Sequence, residues 1–320
     1  MTNVPVAFIC DSHYVLPTAV AITSLICNKN PETYYDIYII AADLAEAEIE
    51  KFYELRASRA DIHIVKVSSK KFKDIPQFIH ITSTSCFKFD LPNLIPNHHK
   101  VLYLDSDIII QKDLNDLFET NIDDYYAAVV KDIGMVDNDF HIKDYFNSGV
   151  MLLNLKLMRK NNASTELFNY RRSTKNLTFM DQDCFNILFD KKVKLLPAIY
   201  NCCYNIFMHY RGGYTLDYIN KCFGTDYSSL DNIIKDSYII HLASHEKPWI
   251  YFDSDFVREW EEYFKKSPFK LHKLKRKSVK LRRFIDSHNF TKLPYNFFQH
   301  WRNNGFKFAM GKIRKKMLKI

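Results

Sequence analysis

Residues 100–110, Lys-Val-Leu-Tyr-Leu-Asp-Ser-Asp-Ile-Ile-Ile, decide the fold class. The unbroken apolar run before Asp105 is typical of a strand that is buried on both faces of a parallel sheet. Such sheets bind their ligands at the carboxyl ends of the strands. The stretch therefore predicts an α/β sheet with two carboxylates, those of Asp105 and Asp107, at a ligand-binding edge.

Strands and helices alternate before this stretch. Apolar residues at helical spacing predict a helix over residues 16–28, and Asp43 is expected to cap a second helix that ends at about residue 57. This alternation is typical of a doubly wound parallel sheet. Apolar runs predict its strands at residues 4–10, 35–41, 61–67, 100–104, 108–110, 127–130, 150–153 and 238–242.

The sheet must hold a nucleotide without a glycine-rich phosphate loop, because neither G-x-G-x-x-G nor a Walker sequence occurs. Asp-x-Asp occurs four times, but only Asp105 and Asp107 follow a buried strand. Hard carboxylate oxygens bind Mg²⁺ or Mn²⁺, whose open positions can take diphosphate oxygens. The alternative is a solvated turn in which both aspartates cap backbone groups.

Two downstream residues extend this hypothesis. His241 ends an apolar run, where a neutral imidazole can be a third metal ligand. Lys247 can place a point charge on a diphosphate. The alternatives are a histidine with a purely structural hydrogen bond and a solvated lysine.

Five segments carry the most specific pattern: 8–14 (Phe-Ile-Cys-Asp-Ser-His-Tyr), 100–107, 146–154 (Phe-Asn-Ser-Gly-Val-Met-Leu-Leu-Asn), 181–183 (Asp-Gln-Asp), and His241 with 247–249 (Lys-Pro-Trp). In this order and spacing, over about the first 260 residues, they resemble glycosyltransferase family 8. The resemblance is to the bacterial lipopolysaccharide and lipooligosaccharide galactosyl- and glucosyltransferases in particular.

The resemblance implies a GT-A fold, which is a Rossmann-like mixed sheet flanked by helices. It also implies a UDP-glucose or UDP-galactose donor, Mn²⁺ (or Mg²⁺), and transfer with retention of configuration to a glycan or glycolipid acceptor. Two alternatives stay open. The same chemistry can serve a protein, capsule or wall-polymer acceptor, or the chain can be a non-catalytic nucleotide-sugar-binding protein.

The resemblance also assigns roles by position. The matching residues face the uridine (Asp11, His13, Tyr14), the metal (Asp105, Asp107, His241), the diphosphate (Ser244, Lys247) and the donor sugar (Lys88, Asp132, Asn147, Asp181, Gln182). Gln182 matches the position discussed as nucleophile or stabiliser. Because a carboxamide oxygen is a poor nucleophile, we favour attack of the acceptor on the face from which UDP leaves, with Gln182 stabilising the oxocarbenium-like sugar.

Three positions depart from the family pattern. Lys88 stands where an arginine is usual, so a bidentate contact becomes a single point charge. His13 replaces an asparagine near the ribose, and Ser244 replaces a glycine near the phosphates. These departures leave the choice among glucose, galactose and an N-acetylated sugar open.

The C-terminal part of the chain has a different charge balance from the rest. Residues 265–320 hold 18 of the 45 Lys and Arg residues but only one acid, Asp286. Their apolar residues fall near one helical face, including Leu271, Leu274, Leu281 and Ile285. The pattern predicts a catalytic domain, 1–264, and a basic amphipathic helical tail, 265–320, that binds an anionic membrane. Nucleic acid is the rival polyanion, but the body carries no nucleic-acid-binding motif.

Cysteine usage and hydropathy suggest a compartment. The seven cysteines are odd in number and lack C-x-x-C spacing, which indicates reduced thiols. No apolar run approaches the roughly 18 residues that a membrane span requires. We therefore expect a cytoplasmic enzyme that lies peripherally on the cytoplasmic face of the inner membrane.

Overall fold

The computed structural model describes residues 2–68, 83–135, 138–174, 177–203 and 214–282. The strands are β1 Asn3–Asp11, β2 Tyr34–Ala42, β3 Ala60–Val67, β4 Val101–Leu104, β5 Ile108–Ile110, β6 Ala127–Lys131, β7 Phe146–Leu153, β8 Val193–Leu196 and β9 Ile239–His241. The helices are α1 Val15–Cys27, α2 Glu46–Tyr53, α3 Leu91–Leu94, α4 Asn115–Phe118, α5 Leu155–Lys160, α6 Ala163–Ser173, α7 Met180–Leu188, α8 Leu216–Phe223, α9 Leu230–Asp236 and α10 Val257–Lys266. Short 3-10 helices span Ser83–Asp90, Ile133–Met135 and Ala198–Tyr200.

The main sheet has seven strands in the order β3-β2-β1-β4-β7-β6-β8. Strands β3, β2, β1 and β4 are parallel, as their alternation with helices predicts. Strand β7 is antiparallel to both of its neighbours, β4 and β6. An antiparallel neighbour needs no crossover helix, and the described part of the β6–β7 connection has only one short 3-10 helix. The predicted mixed α/β sheet is confirmed, whereas a wholly parallel sheet is wrong.

Helices cover both faces of the sheet, as strand β1 illustrates. Val4, Val6 and Phe8 point into the core beneath α1 and α10, while Ala7 points into the core on the opposite face. This alternation follows from the two-residue repeat of a strand. Because both faces are covered, polar side chains that follow the strands are concentrated at the open carboxyl edge.

The predicted cap of α2 is wrong. Asp43 lies two residues outside the cap position, with φ of 53°, and the helix begins at Glu46. Glu48 instead accepts a hydrogen bond from the backbone N–H of Ala45 at 3.0 Å. A carboxylate in the first turn satisfies a free helical donor as well as a capping aspartate does.

The beginning of the predicted tail packs against the body. Residues 267–277 form turns and an extended segment rather than a helix, so the predicted helical face across Leu271 and Leu274 is wrong there. Phe269 is buried against Phe52, and Leu274 is partly buried against the core. The rest of the predicted helical tail, from residue 283 onward, lies outside the described residues. Among the described helices, none is both long and apolar enough to cross a bilayer.

Two apolar residues of this segment form a matched pair for a stability test. We expect Phe269→Ala to lower the free energy of unfolding by about 3 kcal/mol, because the ring is 5% exposed. Leu271→Ala should change it by less than about 0.5 kcal/mol, since Leu271 is 88% exposed. Urea denaturation measures both changes. Equal effects of the two substitutions would mean that residues 267–277 do not pack as described.

Candidate active site

The carboxylates of Asp105 and Asp107 lie in the turn that joins β4 to β5. Between them, Ser106 is buried and fixes the turn to the body. Its hydroxyl lies 2.7 Å from that of Thr18 in α1 and donates to the carbonyl of Ile9 in β1 at 3.2 Å. The middle residue of the motif therefore anchors the turn, and the two aspartates beside it line the crevice.

Strand register brings His241 to these carboxylates across 134 positions of the sequence. In the two-stranded sheet β5-β9, Ile108 pairs with His241, and the N–H of Leu242 donates to the carbonyl of Asp107 at 2.9 Å. His241 Nε2 lies 3.3 Å from Asp107 Oδ1 and 4.0 Å from Asp105 Oδ2. The predicted grouping of these side chains is found.

The three side chains fit a divalent cation. Their ligand atoms all lie within 4.8 Å of one another. Adjacent ligands of an octahedral ion with bonds of about 2.1 Å lie about 3 Å apart, so small rotations suffice to close the cluster. Two carboxylate oxygens with one imidazole nitrogen form a donor set suited to a divalent metal such as Mn²⁺.

Two lysines balance the charge of the carboxylates. Lys247 contacts Asp107 and donates to the carbonyl of Leu242 at 2.6 Å. Burial alone would raise the pKa of Asp107, but Lys247 and then His241 hold it well below its usual range. Asp107 is therefore ionised at neutral pH and available as an anionic ligand.

Lys88 is the second of these lysines and is 2% exposed. Its Nζ lies 2.7 Å from Asp181 Oδ2, 3.6 Å from Asp105 Oδ1 and 3.4 Å from both the carbonyl and the hydroxyl of Ser148. Burial opposes the charged form, but Asp105 and then Asp181 raise the pKa of Lys88. The ammonium thus connects the metal-site carboxylate to the predicted sugar-site carboxylate.

The predicted sugar-binding residues form one chain of hydrogen bonds. Asn147 Nδ2 donates to Gln182 Oε1 at 3.2 Å, and the N–H of Ser148 donates to the same oxygen at 3.1 Å. Gln182 Nε2 donates to Asp132 Oδ2 at 3.2 Å, and the Ser148 hydroxyl donates to Asp181 Oδ2 at 3.1 Å. Burial raises the pKa of Asp132.

The predicted uridine-binding residues follow β1. Asp11 accepts hydrogen bonds from the N–H of His13 at 3.0 Å and from the hydroxyl of Thr84 at 3.1 Å. Tyr14 is 39% exposed, with its ring edge toward Trp249 at 6.2 Å between centroids. Partial enclosure, and then the negative charge of Asp107, raise the pKa of its hydroxyl. Tyr14 therefore lies near the carboxylate pair and is partly accessible to solvent.

The predicted diphosphate residues lie after β9. The N–H of Ser244 donates to the carbonyl of Leu242 at 2.8 Å, and its hydroxyl accepts from the N–H of Glu246 at 3.2 Å. This turn leads directly to Lys247, whose ammonium contacts Asp107. The turn and the carboxylate pair thus share one crevice.

Comparison with known proteins agrees with this geometry. The family model of glycosyl transferase family 8 matches residues 5–253, which include the described strands β2 to β9 and all but the first two residues of β1. The chain belongs to glycosyltransferase family 8.

Relatives of this family extend the match. A lipopolysaccharide 1,2-glucosyltransferase of Escherichia coli is 28% identical over 89% of this chain and 88% of its own length. The galactosyltransferase LgtC, solved with donor and acceptor sugar analogues, superposes with a TM-score of 0.70 at 23% identity, over 82% of this chain and 96% of its own. The bifunctional glycosyltransferase WbbM superposes with a TM-score of 0.71 at 21% identity over 84% of this chain, which spans about half (51%) of WbbM. The chain is thus a family 8 glycosyltransferase with the GT-A fold, and it is similar in sequence to lipopolysaccharide 1,2-glucosyltransferases.

Three residues of this family 8 site were not predicted from the sequence. Ser106 anchors the metal-site turn, Gly149 lets β7 approach it, and Asn201 bridges His241 and Asn147. Gly149 lies within residues 146–154, where a glycine in an apolar run could have indicated a close backbone approach. Asn201 carries no comparable local signal, because its partners are distant in sequence.

The close packing around Gly149 predicts that a larger residue there would disturb the predicted metal ligands. The N–H of Asp105 donates to the carbonyl of Gly149 at 2.7 Å, so β7 lies directly against the carboxylate pair. A Cβ at this position would lie 2.3 Å from His241 Cε1 and 2.7 Å from Asp105 Oδ2. We expect Gly149→Ala to weaken Mn²⁺ binding at least about tenfold, as measured by electron paramagnetic resonance of free Mn²⁺.

Gly224→Ala is the matched control. Its φ of +65° favours glycine, but an added Cβ there meets nothing within 4 Å. This variant should lose about 1 kcal/mol of stability and keep its Mn²⁺ affinity. If both variants bind Mn²⁺ equally well, the close approach of β7 does not constrain the cluster.

Proposed function

We propose that this chain is a retaining hexosyltransferase that moves glucose or galactose from a UDP-sugar to an acceptor of the lipopolysaccharide or lipooligosaccharide type. The observation that carries the proposal is the convergence of Asp105, Asp107 and His241 beside the amide chain that holds Gln182. The relationship to a lipopolysaccharide 1,2-glucosyltransferase supports the acceptor class.

The metal-ligand set would hold Mn²⁺ or Mg²⁺, which supplies positive charge to offset the charge that grows on the leaving diphosphate. Lys247 would add an ammonium to the same group, since its three N–H donors suit phosphate oxygens. Tyr14 would stack on the uracil, with Asp11 and His13 at the uridine. The exposed ring of Tyr14 and its position beside the carboxylate pair support this assignment.

We propose that Gln182 stabilises the sugar rather than attacking it. Its Oε1 accepts two hydrogen bonds, from Asn147 and from the backbone of Ser148. Those bonds occupy both lone pairs of a carboxamide oxygen and lower its nucleophilicity. The acceptor hydroxyl would therefore attack the anomeric carbon on the face that UDP leaves, and the departing phosphate oxygen would take its proton.

Lys88 would act on the sugar only through Asp181. The ammonium is buried, so its role is to hold Asp181 in place and to neutralise it beside Asp105. Asn147 and Asp132 would position Gln182 through their hydrogen bonds to its carboxamide. These roles would account for the proximity of the acidic side chains Asp105, Asp132 and Asp181.

The first test is metal-dependent turnover. Release of UDP from UDP-glucose or UDP-galactose should require Mn²⁺ or Mg²⁺ and stop with EDTA. Asp107→Asn should lower the rate at least about 100-fold, because it removes an anionic ligand worth several kcal/mol of charge stabilisation. Asp139→Asn is the matched control, since Asp139 belongs to another Asp-x-Asp pair and is exposed.

Two outcomes would contradict the enzyme assignment. UDP release that is unaffected by EDTA would remove the metal from the mechanism, and no release from any UDP-sugar would favour a binding protein. Mass analysis of the product formed on a truncated glycolipid of the source organism then identifies the acceptor. A product found only on protein or wall polymer would replace the lipopolysaccharide assignment.

We also propose that residues 283–320 hold the enzyme on the cytoplasmic face of the inner membrane. Each basic residue near an anionic surface contributes about 1 kcal/mol, so even part of the cluster suffices for peripheral binding. The catalytic domain of residues 1–264 would need the segment up to Arg282 for its packing, because Phe269 and Val279 are buried.

A chain that ends after Arg282 tests this proposal. It should release UDP at the rate of the full chain but no longer sediment with vesicles containing phosphatidylglycerol. Vesicles of phosphatidylcholine alone serve as the control and should bind neither protein. Sedimentation of the shortened chain with anionic vesicles, or binding of the full chain to nucleic acid but not to vesicles, would contradict the membrane role.

A further inference from the structure

Asn201 is a buried amide between two parts of the site that have different tasks. It follows the 3-10 helix Ala198–Tyr200 and is 1% exposed. Its Oδ1 lies 2.9 Å from His241 Nδ1, and its Nδ2 donates to Asn147 Oδ1 at 2.9 Å. The next residue, Cys202, donates its N–H to the carbonyl of Ile239 and accepts at its carbonyl from the N–H of His241. These two backbone hydrogen bonds to β9 hold Asn201 against His241.

Backbone donors determine which way each amide points. The N–H of Gly149 donates to Asn147 at 2.9 Å, so the atom that it meets must be the oxygen of Asn147. The same oxygen faces Asn201, which must therefore present its NH₂ group there. The oxygen of Asn201 consequently faces His241.

This orientation selects one tautomer of His241. An amide oxygen only accepts hydrogen bonds, so the proton of the neutral imidazole must lie on Nδ1. The lone pair of the neutral ring then lies on Nε2, where a cation between this atom and Asp107 Oδ1, 3.3 Å away, would take the place of a shared proton. Metal-binding histidines are commonly oriented by a partner on the other ring nitrogen in this way.

The other end of the amide acts on Gln182. Because the oxygen of Asn147 accepts from Gly149 and Asn201, its NH₂ group is directed to Gln182 Oε1. Without the hydrogen bond from Asn201, one of the two contacts that orient Asn147 is lost. The carboxamides of Asn201, Asn147 and Gln182 are thus oriented in sequence.

We infer that Asn201 is a positioning residue that sets the tautomer of His241 for a cation and, through Asn147, the orientation of Gln182. The inference rests on the proposed metal site and extends it, because it couples metal binding to the sugar site through a single side chain. The two effects belong to different atoms of Asn201, its oxygen and its nitrogen. They can therefore be separated by substitution.

Asn201→Ala removes both contacts, whereas Asn201→Asp keeps an oxygen for His241 and loses the donor to Asn147. We expect Asn201→Ala to bind Mn²⁺ about 10- to 100-fold more weakly than the wild type, as measured without donor by electron paramagnetic resonance. Asn201→Asp should bind Mn²⁺ with an affinity within about threefold of the wild type, because His241 keeps an acceptor on its other ring nitrogen. At saturating Mn²⁺ its kcat for UDP release should still fall roughly tenfold or more, with Gln182 misoriented.

Asn154→Ala is the matched control for a buried asparagine outside the site. Asn154 is 8% exposed, accepts from the N–H of Leu157 and donates to the carbonyl of Ile122. It should lose stability in urea denaturation and keep its Mn²⁺ affinity. An equal loss of affinity in this control would assign the effect to general destabilisation and overturn the inference.

The remaining outcomes are also decisive. Mn²⁺ affinity of Asn201→Ala equal to that of the wild type would refute control of the His241 tautomer. A wild-type kcat in Asn201→Asp would refute control of Gln182. If the wild type itself binds no Mn²⁺, the proposed metal site fails and the inference fails with it, which is distinct from a failure confined to the Asn201 variants.

Discussion

Three carboxylates in one crevice repel one another, and the positions of two lysine ammonium groups between them determine the arrangement of the whole site. Lys88 lies between Asp105 and Asp181, and Lys247 contacts Asp107. Buried charges are tolerated when they are paired in this way. Together these five side chains carry a formal charge of −1. A divalent cation would reverse that sign, which gives an anionic diphosphate a favourable place to bind without removing either lysine.

The backbone determines where those charges lie. Ser106 fixes the acidic turn to the body, and the pairing of Ile108 with His241 brings the imidazole to it. Gly149 allows the antiparallel strand β7 to approach both Asp105 and His241. The same strand carries Asn147, which begins the chain of amide hydrogen bonds. A parallel strand in this position would need a crossover helix. Strand β7, which among the described strands of the main sheet is the one that runs in reverse, therefore places the predicted sugar-binding amides directly against the carboxylates of the predicted metal site.

Local patterns account for what the sequence could predict. Buried parallel strands appear as apolar runs, so β1 to β4 and the acidic pair after Leu104 could be recognised. The cap at Asp43 and the helix across residues 267–277 were wrong, because neighbouring packing outweighed local propensity. Leu271 and Leu274 recur at helical spacing, but they lie in a turn and an extended segment, where Leu271 is exposed and Leu274 is partly buried. Asn201 could not be found at all, since its role exists only after β7 and β9 are brought together.

Lys88 shows how a departure from the family pattern changes the task of a residue. An ammonium has three N–H donors, and here three hydrogen-bond acceptors, on Asp181 and Ser148, surround it. No donor remains for a sugar hydroxyl, whereas an arginine with five donors could serve both the protein and a ligand. In the proposed sugar site, selection between epimers would therefore depend on Asp181 and on the amides of Asn147 and Gln182. If the proposed site is correct, a lysine at this position would allow transfer and leave recognition of the sugar to the neighbouring side chains.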